Sequence, residues 1–448
     1  MPSEDHAHPD ATRQELAEGH LAALVERNRR DFGQDSAAVD PPPVRSVGIV
    51  GAGIMGTAIA AAHVASGLPV VLHDADPQAL AAAPQRIEAL LAGQPARQRA
   101  AGLLRLAADV NAVAQLVRLS ADIKTVAGCD LVIESIVETA AAKRRLYQQL
   151  QPHLGTRTIL TSNTSTIPIG QLAEGLADPS RFCGLHFFHP VGQRPLAEII
   201  RGRQSGNAAL AAAVGQAKRI GKMPLVVDDG PGFLVNRLLL PYLGEAMQLL
   251  LEGAGIEQIE RAALDFGMAK GPLRLLDEIG LDTTLQGGWV LAEAFPDRIV
   301  APRLLVAMIK AGRLGCKSGA GFFAYENGPE GLVARPDPEV QRIIAAWAGP
   351  LQQHTGPAIL GRLLLPMVLE ATRILEEHRV RDAGDVDLAV VFGLGFPQSS
   401  GGLLWWADTL GAARILEMLD PWKSLGPRVE PTDMLRDMAG RGGRFYPG

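Results

Sequence analysis

From Val44 onward, short apolar runs alternate with longer stretches of helical periodicity. The runs Val47–Val50, Val70–His73, 131–135, Ile159–Ser162 and 182–188 read as buried strands. Strands of this kind spaced by helices predict an α/β fold, a doubly wound parallel sheet covered on both faces. Residues 79–117 are rich in Ala and Leu and predict helices. After Gly230-Pro231-Gly232 the strand pattern fades, and apolar positions recur at helical spacing.

In that second half the chain repeats itself. Arg237-Leu-Leu-Leu-Pro241 returns as Arg362-Leu-Leu-Leu-Pro366, Glu245-Ala246 as Glu370-Ala371, and Glu252 as Glu377. Nine of sixteen positions from Arg237 match at this spacing. The interval from Gly271 through Asp277 to Gly280 equals that from Gly402 through Asp408 to Gly411. Two copies of one helical unit are predicted, each with a proline-bearing helix. Leu363-Leu-Leu-Pro-Met-Val368 is too apolar to face water, so the copies are expected to bury these faces on one another. The implied divisions are an N-terminal segment (1–43), a dinucleotide-binding domain (44–229), a first helical copy (230–326), a linker (327–350) and a second copy (351–448). Within 1–43, Leu16, Leu21, Leu24, Val25 and Phe32 allow one amphipathic helix before the Pro41-Pro42-Pro43 linker.

Composition narrows the class. Of 448 residues 47% are hydrophobic and 20% charged, and the net charge is −5, so nothing suggests a nucleic-acid binder. Three cysteines, Cys129, Cys183 and Cys316, argue against a disulfide framework and fit a reducing cytoplasm. The uncharged stretch 46–73 is long enough for a membrane span, but its five glycines and Pro69 fit a strand, a glycine turn and a helix better. No membrane span and no metal site are expected.

The glycine turn carries the first chemistry. Gly51-Ala-Gly53-Ile-Met-Gly56 follows a strand and opens a helix, the context a dinucleotide pyrophosphate requires. Gly51 permits the turn, Gly53 admits the phosphates, and Gly56 lets the helix pack on the sheet. Asp74, at the end of the second strand, can accept from both ribose hydroxyls and repels a 2′-phosphate, which favours NAD over NADP.

Three further segments lie at predicted strand ends, where ligands bind in such sheets. They are Asp130-Leu-Val-Ile-Glu-Ser-Ile-Val-Glu138 with Lys143 after it, Ser162-Asn-Thr-Ser-Thr166, and Gly184-Leu-His-Phe-Phe-His-Pro190. Oxidising an alcohol needs a base for the hydroxyl proton, and a histidine partnered by a carboxylate such as Glu198 suits that task. Taken alone, His186 is more often a structural histidine, Ser165 a helix cap and Asn236 a helix-surface amide.

Taken together, these motifs resemble the 3-hydroxyacyl-CoA dehydrogenase family in order from about Arg45 to Tyr325, with Pro231 to Arg237 included. The duplicated tail is similar to the dehydrogenase part of multifunctional α-subunits of fatty-acid oxidation complexes. The resemblance implies a Rossmann-type sheet followed by two all-α, 6-phosphogluconate-dehydrogenase-like helical repeats. It implies His186 as base with Glu198 as partner, Ser165 and Asn236 at the substrate, and an NAD site at Gly51, Gly53, Ile54, Met55, Gly56, Asp74, Val137, Glu138, Lys143 and Ser165. His189 stands where the family usually has Asn, and is placed at the cofactor. Phe392 stands where multifunctional subunits usually have Tyr, which leaves one acyl-CoA contact without its hydroxyl. Gly361 lies opposite Asn236, so only the first copy can supply the amide. Forty-three residues before the dinucleotide fold are too few for an enoyl-CoA hydratase domain, so a single activity is expected. The reading is a cytoplasmic NAD-dependent (3S)-3-hydroxyacyl-CoA dehydrogenase of fatty-acid β-oxidation. Its expected partners are acyl-CoA and, through the resemblance, hydratase or thiolase subunits, with a monomer or hetero-complex favoured over a homodimer. The alternatives are a dehydrogenase for another 3-hydroxy acid, and a non-catalytic NAD-binding subunit.

Overall fold

The computed structural model describes residues 9–31, 44–93, 116–300, 302–328 and 331–447. It contains two compact units, Leu24–Phe233 and Met1–Ala23 with Leu234–Gly448. The expected N-terminal helix is α1, Pro9–Asp31, with Ala17, Leu21, Leu24 and Asn28 buried along one face at helical spacing. Leu16, assigned to that face from the sequence, is exposed. Phe32 and the triple proline lie outside the described residues.

The first unit is built on an eight-stranded sheet. In chain order its elements are β1 Val47–Val50, α2 Ile54–Ala65, β2 Val70–His73, α3 Pro77–Ala92, β3 Val117–Ser120, α4 Ile123–Ala127, β4 Leu131–Glu134, α5 Ala140–Leu150, β5 Ile159–Ser162, α6 Ile169–Ala173, β6 Phe182–Phe187, β7 Leu196–Arg201, α7 Asn207–Arg219 and β8 Met223–Asp228. The strand order is β3-β2-β1-β4-β5-β6-β7-β8. The first five pairings are parallel, as expected. The sixth is a correction: β6 and β7 run antiparallel. Too few residues join them for a parallel crossover, which needs about a dozen or more, so the chain turns back as a hairpin. The strand β3 falls at the end of a stretch read as helical, and residues 94–115 of that stretch lie outside the described residues.

Local chemistry sets the element boundaries. Asp76 caps α3 by accepting from the Gln78 N–H at 2.9 Å, with Pro77 at the first helical position. Asp130 accepts the Arg45 and Ser46 N–H groups at 2.9 and 3.0 Å and so fixes the start of β1 beside β4. The core packs Ile49, Ile59, Leu72, Ile87 and Leu131, all fully buried, between sheet and helices.

The second unit is helical. Its main elements are α8 Val235–Leu251, α9 Ile256–Phe266, α10 Pro272–Ile279, α11 Leu281–Ala294, α12 Arg303–Lys310, a hairpin of β9 Ala324–Gly328 and β10 Gly331–Arg335, α13 Pro338–Trp347, α14 Gly356–Glu376, α15 Ala383–Ala389, a π-helical turn Val390–Leu394, α16 Leu403–Leu410, α17 Ala412–Leu419 and α18 Asp433–Arg441. The stretch read as a linker therefore folds in large part. The helix α13 buries Val340 and Ile344 and packs on α12 and α8.

The repeated helices α8 and α14 pack on each other, as the sequence led us to expect. Their ion pairs are reciprocal. Arg237 donates to Glu370 at 2.6 Å and with both terminal nitrogens to Glu377 at 2.7 Å. Arg362, its counterpart, donates to Glu245 at 2.7 Å and to Glu252 at 2.9 and 3.1 Å. Each arginine of one copy thus meets the two glutamates of the other, which defines a local two-fold relation. Such forked pairs need both partners in place, because an unpaired buried charge costs several kcal/mol.

Candidate active site and dinucleotide crevice

The sheet order reverses at β1, which lies between β2 and β4, and the loops leaving β1 and β4 flank the crevice. Two glycines of the turn, Gly51 and Gly56, have separate steric reasons. Gly51 has φ 110°, and a Cβ there would run into the Ser135 carbonyl. A Cβ on Gly56 would strike the Gly51 carbonyl, so the helix approaches the turn only with glycine. Gly53 is different: it is exposed, and a Cβ on it would meet nothing within 4 Å. That open space lies at the N-terminus of α2, where no side chain caps the first N–H groups. The arrangement fits an anion brought against the backbone.

Asp74 accepts the Ala52 N–H at 2.6 Å and the Asp76 N–H at 2.8 Å, and stays partly exposed. It therefore stiffens the glycine turn and still offers lone pairs outward. Arg86, which the sequence reading missed, donates to the Ala52 carbonyl at 3.2 Å from α3. Two apolar side chains predicted at the cofactor, Ile54 and Val137, are 73% and 68% exposed. Side chains of this kind standing open at a sheet's carboxyl edge suit contact with flat rings. Met55 is half-buried beside them in sequence.

Past β4 the acidic residues organise the next loop. Glu134 is fully buried and takes four donors: Lys143 Nζ at 2.7 Å, the Ile136 N–H at 2.8 Å, Tyr147 OH at 2.7 Å and Ser162 Oγ at 2.6 Å. Glu138 accepts Thr164 Oγ1 at 2.6 Å and the Ser165 N–H at 2.7 Å, with Ser165 Oγ at 3.2 Å. Burial alone would raise the Glu138 pKa, but Lys143, Thr164 and Ser165 together hold it below its ordinary value. Lys143 is 1% exposed, 2.7 Å from Glu134 and 3.2 Å from Glu138. Its ammonium serves these two carboxylates. Glu134 and Tyr147 were not singled out from the sequence; the available hint was a glutamate inside an otherwise apolar strand.

His186 and Glu198 are brought together by the hairpin that the sequence reading did not foresee. They are paired across β6 and β7, and His186 Nδ1 lies 2.7 Å from Glu198 Oε2. Glu198 is fully buried and His186 is 5% exposed. With Glu198 accepting the proton on Nδ1, the lone pair of a neutral ring lies on Nε2. Phe188 and Phe233 stand beside the imidazole, with ring centroids 4.5 and 6.0 Å away. Asn163 Oδ1 accepts the Phe187 N–H at 2.8 Å and so ties the Ser165 loop to the strand of His186. His189 lies exposed on the link between β6 and β7, and burial of part of its ring, helped by Arg194, lowers its pKa. Lys222 donates to the Val191 and Arg194 carbonyls and holds the same link.

Asn236 and Phe392 belong to the helical unit. Asn236 is half-buried in the first turn of α8, and Phe392 is half-buried in the π-helical turn. A Cβ on Gly361, the repeat counterpart of Asn236, would come within 2.8 Å of the Trp422 ring. The second copy therefore has no room for an amide at that position.

Residues 46–230 match the family model described as 3-hydroxyacyl-CoA dehydrogenase, NAD binding domain, and residues 232–325 match that family's C-terminal domain. The chain is 36% identical over 94% of its length to a fatty acid oxidation complex subunit alpha from Pseudomonas savastanoi pv. phaseolicola, and spans 58% of that protein's length. A solved 3-hydroxybutyryl-CoA dehydrogenase from Escherichia coli K12 is 26% identical, with a TM-score of 0.76 over 89% of this chain and 99% of that one. The dehydrogenase part of multifunctional enzyme 1 from C. elegans is also 26% identical, with a TM-score of 0.63 over 95% of this chain and 96% of that one.

Proposed function

The chain belongs to the 3-hydroxyacyl-CoA dehydrogenase family and is an NAD-dependent dehydrogenase, and from that premise we propose that it oxidises (3S)-3-hydroxyacyl-CoA to 3-oxoacyl-CoA in fatty-acid β-oxidation. The observation that carries this reading is the buried His186–Glu198 pair at 2.7 Å. A binding subunit without turnover has no use for a base whose second nitrogen is held by a buried carboxylate.

In this reading Gly51, Gly53 and Gly56 hold the pyrophosphate, Asp74 the adenine ribose, and Ile54, Met55 and Val137 the flat rings. When bound, NAD supplies the acceptor for the hydride leaving C3. His186 Nε2 takes the hydroxyl proton, and Glu198 offsets the charge that the imidazole gains. Ser165 and Asn236 hydrogen-bond the C3 oxygen and fix its orientation. The loop that presents Ser165 is pinned from behind by Glu138, Thr164 and Lys143. His189 contacts the cofactor and Phe392 the acyl-CoA. The acyl thioester separates this reading from a dehydrogenase acting on a free 3-hydroxy acid.

The test follows NADH by absorbance with 3-hydroxyacyl-CoA substrates and with the corresponding free acids. Turnover with the thioester alone is expected. His186→Ala should cut it by roughly 10²–10⁴-fold while NAD binding persists. Turnover of the free acid at an equal rate, or an active His186→Ala, would overturn the assignment.

A further inference from the structure

Arg86 stands on α3, and its side chain reaches back toward the N-terminal end of that helix, as long helical side chains do. That end lies at the carboxyl edge of the sheet, because α3 follows β2 directly. Ala82 and Ala79, about one and two turns before Arg86 on the same face, are small enough to leave its path open. At the edge of the sheet Arg86 meets the glycine turn, where Nη1 donates to the Ala52 carbonyl at 3.2 Å. Ala52 also gives its N–H to Asp74 at 2.6 Å. A guanidinium and a carboxylate thus hold the two polar backbone groups of a single residue. They do not pair with each other, and Arg86 forms no ion pair among the described residues.

The bond to Ala52 uses one of several guanidinium N–H donors, and Arg86 is exposed. The other donors stand in water beside the carboxylate assigned to the adenine ribose. One of the ribose hydroxyls at that carboxylate is the position that carries a phosphate in NADP. A phosphate there meets repulsion from Asp74 and attraction from Arg86, whose planar fork suits phosphate oxygens. A carboxylate that accepts from the hydroxyls themselves outweighs an exposed cation screened by water, so NAD prevails in the native chain.

We propose that Arg86 is a second determinant of cofactor choice, a partner for a 2′-phosphate whose effect Asp74 masks. The preference for NAD is then the difference between two opposed charges and not the work of Asp74 alone. The proposal rests on the placement of the adenine ribose at Asp74.

Isothermal titration calorimetry on the full chain compares 5′-AMP with adenosine 2′,5′-bisphosphate, which differ only in the 2′-phosphate and need no turnover. Asp74→Asn keeps an acceptor for the Ala52 N–H. It should weaken 5′-AMP severalfold and tighten the bisphosphate about tenfold. Adding Arg86→Gln should abolish that gain and leave 5′-AMP within about threefold. The kcat/KM for NADPH with acetoacetyl-CoA should follow the bisphosphate. Arg86→Gln alone should weaken the bisphosphate and spare 5′-AMP, and decides the matter if the double variant fails to fold by circular dichroism. An arginine that only stiffens the turn predicts equal loss of both ligands. The proposal is overturned by such equal loss, by a gain that survives Arg86→Gln, or by no bisphosphate gain in Asp74→Asn. If Asp74→Asn leaves 5′-AMP unchanged, the placement of the ribose falls and the proposal with it. If 5′-AMP weakens but the Arg86 effect is absent, the proposal alone falls.

Discussion

Replacing Glu198 by Gln keeps the shape of the side chain and an acceptor for the Nδ1 proton of His186, and removes only the charge. The pair is 2.7 Å apart, and Glu198 is fully buried, so water screens the interaction little. Two unit charges about 4 Å apart at an effective dielectric near 20 attract by about 4 kcal/mol. In the transition state the proton is only partly on the imidazole, so between half and all of that energy is at stake. Half to all of it, about 2 to 4 kcal/mol, corresponds to a loss in kcat of about 30- to 1,000-fold. Stability should move the other way or stay level, because a buried charge is removed and its hydrogen bond kept. The assay is steady-state NADH formation at saturating acyl-CoA, run beside thermal unfolding and NAD titration. Glu198 acts through His186 and not on substrate, so adding Glu198→Gln to His186→Ala should slow the reaction no further. A Glu198→Gln enzyme within about threefold of wild-type kcat, with a base held as described, would refute the electrostatic argument. So would a loss of activity that merely tracks a lower melting temperature.

Three other outcomes follow from the same geometry. Asp74→Ala should narrow the preference for NAD over NADP in kcat/KM, since it removes the charge that repels a 2′-phosphate and leaves Arg86 beside the same turn; equal use of both cofactors by the wild type would contradict this. A chain ending at residue 350 loses Glu370, Glu377 and Arg362, so Arg237, Glu245 and Glu252 of one copy should find their opposites in a second copy, giving dimers or aggregates in sedimentation; a monomeric, soluble and fully active truncated chain would contradict it. Burial raises the Glu260 pKa from 4.5 to about 7, so the folded state holds a proton that the unfolded chain has released, and stability should fall as pH rises from about 4.5 to about 7; Glu260→Gln should flatten that part of the melting-temperature profile, and an unchanged slope would refute the sign.

Much of this chain declares itself locally. The glycine turn needed only its own spacing and the strand before it, because the positive φ of Gly51 and the close approach of Gly56 to the Gly51 carbonyl are set within a few residues. The repeat, too, is a one-dimensional property, and once two apolar proline-bearing helices are seen, their burial on each other follows from the cost of exposing them. The reciprocal ion pairs required coordinates: Arg237 and Glu370 are remote in sequence, and only packing of α8 on α14 selects that pairing from many possible ones. The His186–Glu198 pair shows the same division more sharply. His186 and Glu198 were legible as a strand-end histidine and a buried acid, and the short link between their segments leaves no room for a parallel crossover, yet only the register of the hairpin sets the two side chains face to face. The buried network of Glu134, Lys143, Tyr147 and Ser162 was hidden for a related reason. A single glutamate in an apolar strand announces that it needs partners, but partners drawn from a helix and a neighbouring strand are chosen by the tertiary fold, where satisfying a buried charge outweighs any local preference.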